Sequence, residues 1–357
     1  MLSNLPRKSV YIPSLDGMRA VAFFIVFLSH AGLKEIIPGG FGVTVFFFIS
    51  GYLITSLLRH EYEITGTISV KYFYVRRMLR IWPAFYLVLF AGAALTQLHV
   101  LKGDIQFSAF LSQCLHFANY YSIYAGSSGV TMGSGVYWSL AVEEHFYLAF
   151  PLLYIALLRM RVSAKDQMRI FVGACLVILL WRCALVFGAS VSENRTYYAS
   201  DTRFDSLLFG CALAVYGNPV FDPHKLSDRN VKYCLLPIGI GLILFSFLYR
   251  NTEFRETFRY TIQGIGLLPI FVAAIRFPNW GIFKILNWRW MRFIGVLSYS
   301  LYLVHFTVVQ AFGMYWPSVR GVLLPIYSLF ISLVLAYVIF VAIEVPVGRL
   351  RKTFKVA

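Results

Sequence analysis

The chain has 357 residues, of which 59% are hydrophobic and only 13% charged, against about 25% charged in ordinary soluble domains. Apolar runs recur from position 20 to position 346 with short polar breaks, which excludes disorder, a coiled coil and a disulfide scaffold and points to one all-α, polytopic membrane domain. Thirty-two Lys and Arg against 16 Asp and Glu give a net charge of +16, an excess that suggests nucleic acid or an anionic surface until it is mapped onto the spans.

In chain order, Arg7, Lys8 and Arg19 precede an apolar run from Ala20 to Ala31. The run passes through Ser29-His30 without a small-residue cleavage pattern, so it reads as a retained first span rather than a secretory signal. With about 20 residues per crossing, ten transmembrane helices are expected near 16–33, 42–58, 79–101, 136–158, 169–189, 204–218, 232–249, 259–276, 292–315 and 322–346. The sixth is short, and 105–125 is apolar but interrupted, like an interfacial or re-entrant helix. An even number puts both termini on one side. With the N-terminus inside, inner segments hold 23 Lys and Arg, outer segments 8, and Arg182 lies alone within a span. This bias accounts for the charge without nucleic acid. It divides one domain into a cytoplasmic lead at 1–15, transmembrane helices over 16–346 and a basic cytoplasmic tail at 347–357.

The five cysteines (Cys114, Cys175, Cys183, Cys211, Cys234) form no CxxC pair, so they read as small core hydrophobes and no metal site is expected. Gly39-Gly40-Phe41-Gly42 lacks the strand and the Lys-Ser/Thr completion of a phosphate loop. Gly126–Gly135, rich in Gly and Ser, is either a flexible connector or a movable lip over an outward cavity. The abundant Tyr and Trp suit interfacial belts or sugar stacking.

Charge within a bilayer costs at least ~2.5–3.5 kcal/mol per residue, so intramembrane ionisable groups single themselves out: His30, Glu143, Glu144, His145, Arg182 and His305. Counted by helical rise, His30 and His305 lie roughly 20 Å above the inner face, and Glu143, Glu144 and Ser50 about 11–12 Å below the outer one. Four spans thus bring polar groups to one layer. An imidazole there can take the proton of an alcohol while a carboxylate holds its other nitrogen. Glu143 shares a helix face with Ser139 and Tyr147, at i−4 and i+4, and is expected to orient His30. Glu144 either lines the same cavity or meets a neighbouring polar group. Arg77 and Arg80 share a face at the inner end of the third span, with Arg19 close by; they serve either topology and lipid headgroups or phosphate capture from the cytosol.

Several ordered motifs resemble the integral-membrane acyltransferases of acyltransferase family 3. They are Leu15-Asp16-Gly17-Met18-Arg19-Ala20 with His30 beyond, Phe47-Phe48-Ile49-Ser50-Gly51, Arg77-x-x-Arg80, Trp138-Ser139-Leu140 leading to Glu143-Glu144-His145-Phe146-Tyr147, Asp201-Thr202-Arg203-Phe204-Asp205, and Ser298-Tyr299-Ser300-Leu301-Tyr302-Leu303-Val304-His305. His145 stands where glutamine is frequent, and Glu344-Val345-Pro346 is a loose form of the family's Glu-Arg-Pro ending. The chain resembles the stand-alone form, without an SGNH hydrolase-like domain.

The resemblance implies a bacterial inner-membrane enzyme that binds no permanent cofactor and moves an acyl group, usually acetyl, from cytosolic acetyl-CoA to a hydroxyl of a cell-surface or lipid-linked glycan. His30 would be general base or transient acyl carrier, and Glu143 its partner. Arg19, Arg77 and Arg80 would hold the CoA phosphates; Ser50, Ser139, Glu144, Asp201, Arg203 and His305 would contact the thioester or the sugar. The rival expectations are a transporter or flippase of a glycan or anion, and an acyltransferase for a small cytosolic acceptor.

Overall fold

A computed structural model describes residues 11–126 and 128–354; Arg7, Lys8, Ser127 of the Gly/Ser loop and Lys355–Ala357 of the tail lie outside the described residues. The helices in order are α1 (Pro13–Leu28), α2 (Gly39–Thr65), α3 (Val70–Gln97), α4 (Phe107–Cys114), α5 (Ala118–Tyr124), α6 (Tyr137–Arg159), α7 (Ala164–Cys183), α8 (Glu193–Tyr198) and α9 (Ser200–Val215). The remainder are α10 (Asp228–Asn230), α11 (Leu236–Leu248), α12 (Thr252–Glu256), α13 (Phe258–Arg276), α14 (Phe283–Leu286), α15 (Arg289–Tyr315), α16 (Leu323–Ile339) and α17 (Val345–Arg351). No strand occurs among the described residues. This is the expected outcome for backbone that has to satisfy its own hydrogen bonds in lipid.

Nine helices among the described residues are long and apolar enough to cross a membrane. They match nine of the ten expected spans, and α9, with 16 residues, occupies the place of the short sixth. Its path is set by contacts with α2: Arg203 meets Thr44 at one end, and Arg59 reaches Ala214, Val215 and Asp222 at the other. α9 therefore runs parallel to α2 for about 22 Å of helical rise. Glycines permit this closeness, since a Cβ on Gly51 would strike the Leu207 backbone, and one on Gly210 the Phe48 carbonyl. The interrupted 105–125 stretch forms the short pair α4 and α5.

The third span begins earlier than the expected 79, because the Ser69 hydroxyl caps α3 by accepting from the Tyr72 N–H at 3.4 Å. Arg76 and Arg77 consequently sit within the helix, as Arg80 does, rather than ahead of it. Arg182 is explained by packing: its guanidinium, fully buried in α7, donates to Asp205 at 2.7 Å, to Thr261 Oγ1 at 2.6 Å and to the Thr202 and Thr257 carbonyls. A buried charge so fully bonded ties α7, α9 and α13 together.

The site is framed by three helices. α1 lies antiparallel to α2, where Gly42 packs on Ala22 and Val26, and parallel to α15, where Gly295 packs on the Asp16 backbone. The α14 backbone at Leu286 covers Gly17. The Arg76 guanidinium donates to the Phe354 carbonyl at 3.1 Å and pairs with Glu61 at 2.7 Å, so the far end of the chain returns to the start of α3.

Candidate active site

α1 does not close as an α-helix. At Ser29–Leu33 it loosens into a π-turn that stops at Gly32, whose φ of +106° only glycine adopts readily. His30 occupies this turn. Its Nδ1 lies 2.9 Å from Nε2 of His305, and Nδ1 of His305 lies 2.8 Å from the Tyr302 carbonyl and 3.2 Å from that of Leu301. A carbonyl only accepts, so in the neutral pair Nδ1 of His305 carries the hydrogen and its Nε2 carries a lone pair. His30 Nδ1 must then donate, which leaves Nε2 of His30 as the free lone pair. His305 is fully buried, with its ring against Phe23 and Phe27. A helix backbone thereby fixes the tautomer of His30 through one intervening ring.

The expected pairing of Glu143 with His30 is not formed. Glu143 accepts from Ser50 Oγ at 2.9 Å and from the Tyr147 hydroxyl at 2.8 Å, while His30 Nδ1 is taken by His305. The i, i+4 relation to Tyr147 holds as read from the helix period, but the neighbours across the bundle decide the rest. Glu144 follows it with a buried Oε1, and its carboxylate interacts with the Trp82 indole N–H.

Two cavities approach this layer. The larger, about 870 Å³, is lined by His30, Gly39, Gly40, Lys102, the Val130–Val136 segment, Trp138, Tyr197, Tyr198 and Phe306. Val130–Gly135 of the Gly/Ser loop is therefore a cavity wall, held where the Gly133 N–H donates to Gln310 Oε1 at 2.7 Å. The smaller, about 80 Å³, is lined by Arg19, Ser50, Arg77, Arg80, Ser139, Glu143, Glu144, Tyr147, Ser298 and Tyr299. Val43 and Tyr302 line both, and the Tyr302 hydroxyl bonds Ser139 Oγ at 2.6 Å across the partition. None of Arg19, Arg77 and Arg80 forms an ion pair with a carboxylate among the described residues. Arg77 lies over the Tyr147 ring at 5.4 Å. Three half-buried guanidiniums around one slot are chemically able to receive an anion.

Asp201 and Arg203 do not join the cavities, contrary to expectation. Asp201 is held by Arg195 at 2.6 Å and by Trp181 Nε1 at 2.7 Å. Arg203 is fully buried on α9, bonded to Thr44 Oγ1 and the Tyr197 carbonyl, with the Tyr260 ring 4.0 Å from its guanidinium carbon. Both build the frame. His305 was expected against the thioester or the sugar; it instead backs His30. Tyr302 and Tyr299 lie in the Ser298–His305 motif but were not singled out within it, since tyrosine is abundant in this sequence. Glu344, read there only as part of a weak motif, accepts from Ser300 Oγ at 2.5 Å.

A family model described as an acyltransferase domain matches residues 12–345, from the start of α1 to the start of α17. The chain belongs to this acyltransferase family. Among similar proteins are a Staphylococcus aureus (strain COL) protein provisionally named an O-acetyltransferase, 33% identical over 93% of this chain, and the peptidoglycan O-acetyltransferase OatA of Listeria monocytogenes, 30% identical over 95%. A Bacillus subtilis protein provisionally named a peptidoglycan O-acetyltransferase is 30% identical over 84% of this chain. This acyltransferase chain spans about half the length of these relatives, 56%, 56% and 49% respectively. No solved structure matches it.

Proposed function

We propose that this multi-pass membrane protein is an O-acetyltransferase of the bacterial inner membrane that moves an acetyl group from cytosolic acetyl-CoA to a hydroxyl of a glycan presented on the outer side. The observation that carries this reading is the pair of cavities meeting at Val43 and Tyr302, one holding three arginines that form no carboxylate ion pair among the described residues and the other the Nε2 lone pair of His30. The basic bias of the segments on the arginine side supports a cytosolic position for that side.

In this reading the CoA phosphates bind Arg19, Arg77 and Arg80, and the thioester reaches the partition. The sugar enters the larger cavity, where Trp138, Tyr197 and Tyr198 stand with ring centroids 4.8–5.1 Å apart and offer apolar faces for a pyranose. His30 Nε2 takes the hydroxyl proton as the oxygen attacks the thioester carbonyl. The carbon–sulfur bond breaks, the proton passes to the leaving sulfur, and an ester and free CoA thiol result. His305 keeps Nδ1 of His30 engaged throughout. A small cytosolic acceptor is disfavoured because His30 lines the outer cavity and not the slot.

The deciding experiment compares the purified protein with His30→Ala, in detergent, for transfer of labelled acetyl from acetyl-CoA to envelope glycan, followed by mass spectrometry for one added acetyl. Loss of transfer with acetyl-CoA binding retained is the expected result. Undiminished transfer in His30→Ala would overturn the assignment.

A further inference from the structure

Beside the large outer cavity lies a second one of about 500 Å³, lined by Lys34, Glu193, Asn194, Arg250, Arg255, Glu256, Arg259 and Tyr260 among others. It shares Gly39, Gly40 and Tyr197 with the cavity that holds His30. Tyr197 stands between the two with its hydroxyl over Gly40, where a Cβ would lie 2.8 Å from that oxygen. The two cavities therefore meet at this tyrosine and the Gly39-Gly40 backbone.

The charges of the second cavity sort into engaged and free, and the exposed Glu193 carboxylate forms no ion pair among the described residues. Glu256 is bonded by Thr196 Oγ1 at 2.5 Å and lies 3.6 Å from Arg259, whose guanidinium also donates to the Tyr260 hydroxyl. Lys34 sits 3.8 Å from Glu35. Arg250 and Arg255, at the end of α11 and within α12, are exposed and form no ion pair among the described residues. Arginines are scarce on this side of the protein, yet these two converge on the cavity contiguous with the base.

We infer that this second cavity is an acceptor subsite for an anionic glycan, with Arg250 and Arg255 binding a carboxylate or phosphate of a sugar adjacent to the one acetylated. The inference rests on the proposed acetyl transfer from the slot to the outer cavity and adds the charge of its acceptor. Arginine suits the task, since its planar fork meets a carboxylate or phosphate with two parallel bonds.

The test measures binding of a fluorescent galacturonic acid tetramer and of its fully methyl-esterified, neutral counterpart to the full chain in detergent at low salt. The wild type is expected to prefer the charged tetramer by about ten-fold or more, with the preference fading as salt rises. Arg250→Gln with Arg255→Gln should abolish the preference while acetyl-CoA binding stays unchanged, which also reports folding; Arg250→Lys with Arg255→Lys should keep part of it. Equal binding of both tetramers by the wild type, or a preference intact in the double glutamine variant, would overturn the subsite. Charge-selective binding in a protein that transfers no acetyl group would uphold the subsite and defeat the transfer reading instead.

Discussion

Gly295→Ala tests whether the packing of α1 on α15 sets the histidine pair. A methyl at position 295 would fall 2.9 Å from the Asp16 Cα and nearer still to its carbonyl group, where ordinary carbon contacts need about 3.5–4.0 Å. Backbone cannot swing aside as a side chain can, so the two helices must part by about 1 Å to accommodate it. His30 and His305 ride on these same two helices, and the same displacement takes their 2.9 Å contact to about 3.9 Å, beyond hydrogen-bonding range. His30 Nδ1 then loses its fixed acceptor, and the free lone pair is no longer confined to Nε2. A misplacement of this size costs catalysis on the order of 10²-fold. The assay is acetyl transfer from acetyl-CoA to isolated envelope glycan, at matched protein levels and with acetyl-CoA binding as a check on folding. Gly173→Ala, on a helix position with open space around it, is the control and should retain full activity. Wild-type rates in Gly295→Ala would refute the claim that helix spacing positions the base.

Three further outcomes follow from other contacts. Asp205→Ala removes the carboxylate from a fully buried Arg182 and should cost about 3–5 kcal/mol, read as a lower thermal midpoint in detergent; an unchanged midpoint would mean that the cluster adds nothing. Val43→Phe, at the partition, should lower acetyl transfer by about ten-fold or more with acetyl-CoA affinity intact, and normal transfer would place the passage elsewhere. Burial by itself raises the Asp222 carboxyl, but the bonds from Arg59 and from backbone N–H groups outweigh it and hold the group below its ordinary value. Its stabilisation is therefore present above the unfolded carboxylate pKa and is lost as pH falls through the depressed folded value; thermal stability of Asp222→Asn measured against pH should show a smaller acid-side decline than the wild type.

The helix count and the layer of polar groups were legible because both depend on properties local in the chain: apolar run length, arginine and lysine bias, and rise per residue. The same applies to pairs on one helix, such as Glu143 with Tyr147 or Arg77 with Arg80. What escaped depends on neighbours across the bundle. His30 and His305 share a depth, yet only the glycine contacts between α1 and α15 make them partners; a carboxylate at the same depth looked chemically better and went to Ser50 and Tyr147 instead. Asp201 and Arg203 carry charge within a family motif, and nothing local distinguishes a charge that faces a ligand from one that braces α9. The start of α3 shifted because a serine cap outside the apolar run governs where that helix begins.

α1 holds Arg19 in the slot and His30 in the outer chamber on one continuous stretch of backbone. Eleven residues of helix amount to about 16 Å, comparable with the reach of a pantetheine arm. In the proposed transfer the first helix would act as a ruler, with an anion grip at one graduation and a proton acceptor at another. A donor carrying the same acetyl on a shorter handle, such as acetyl phosphate, can satisfy the grip or approach the acceptor, but not both at once.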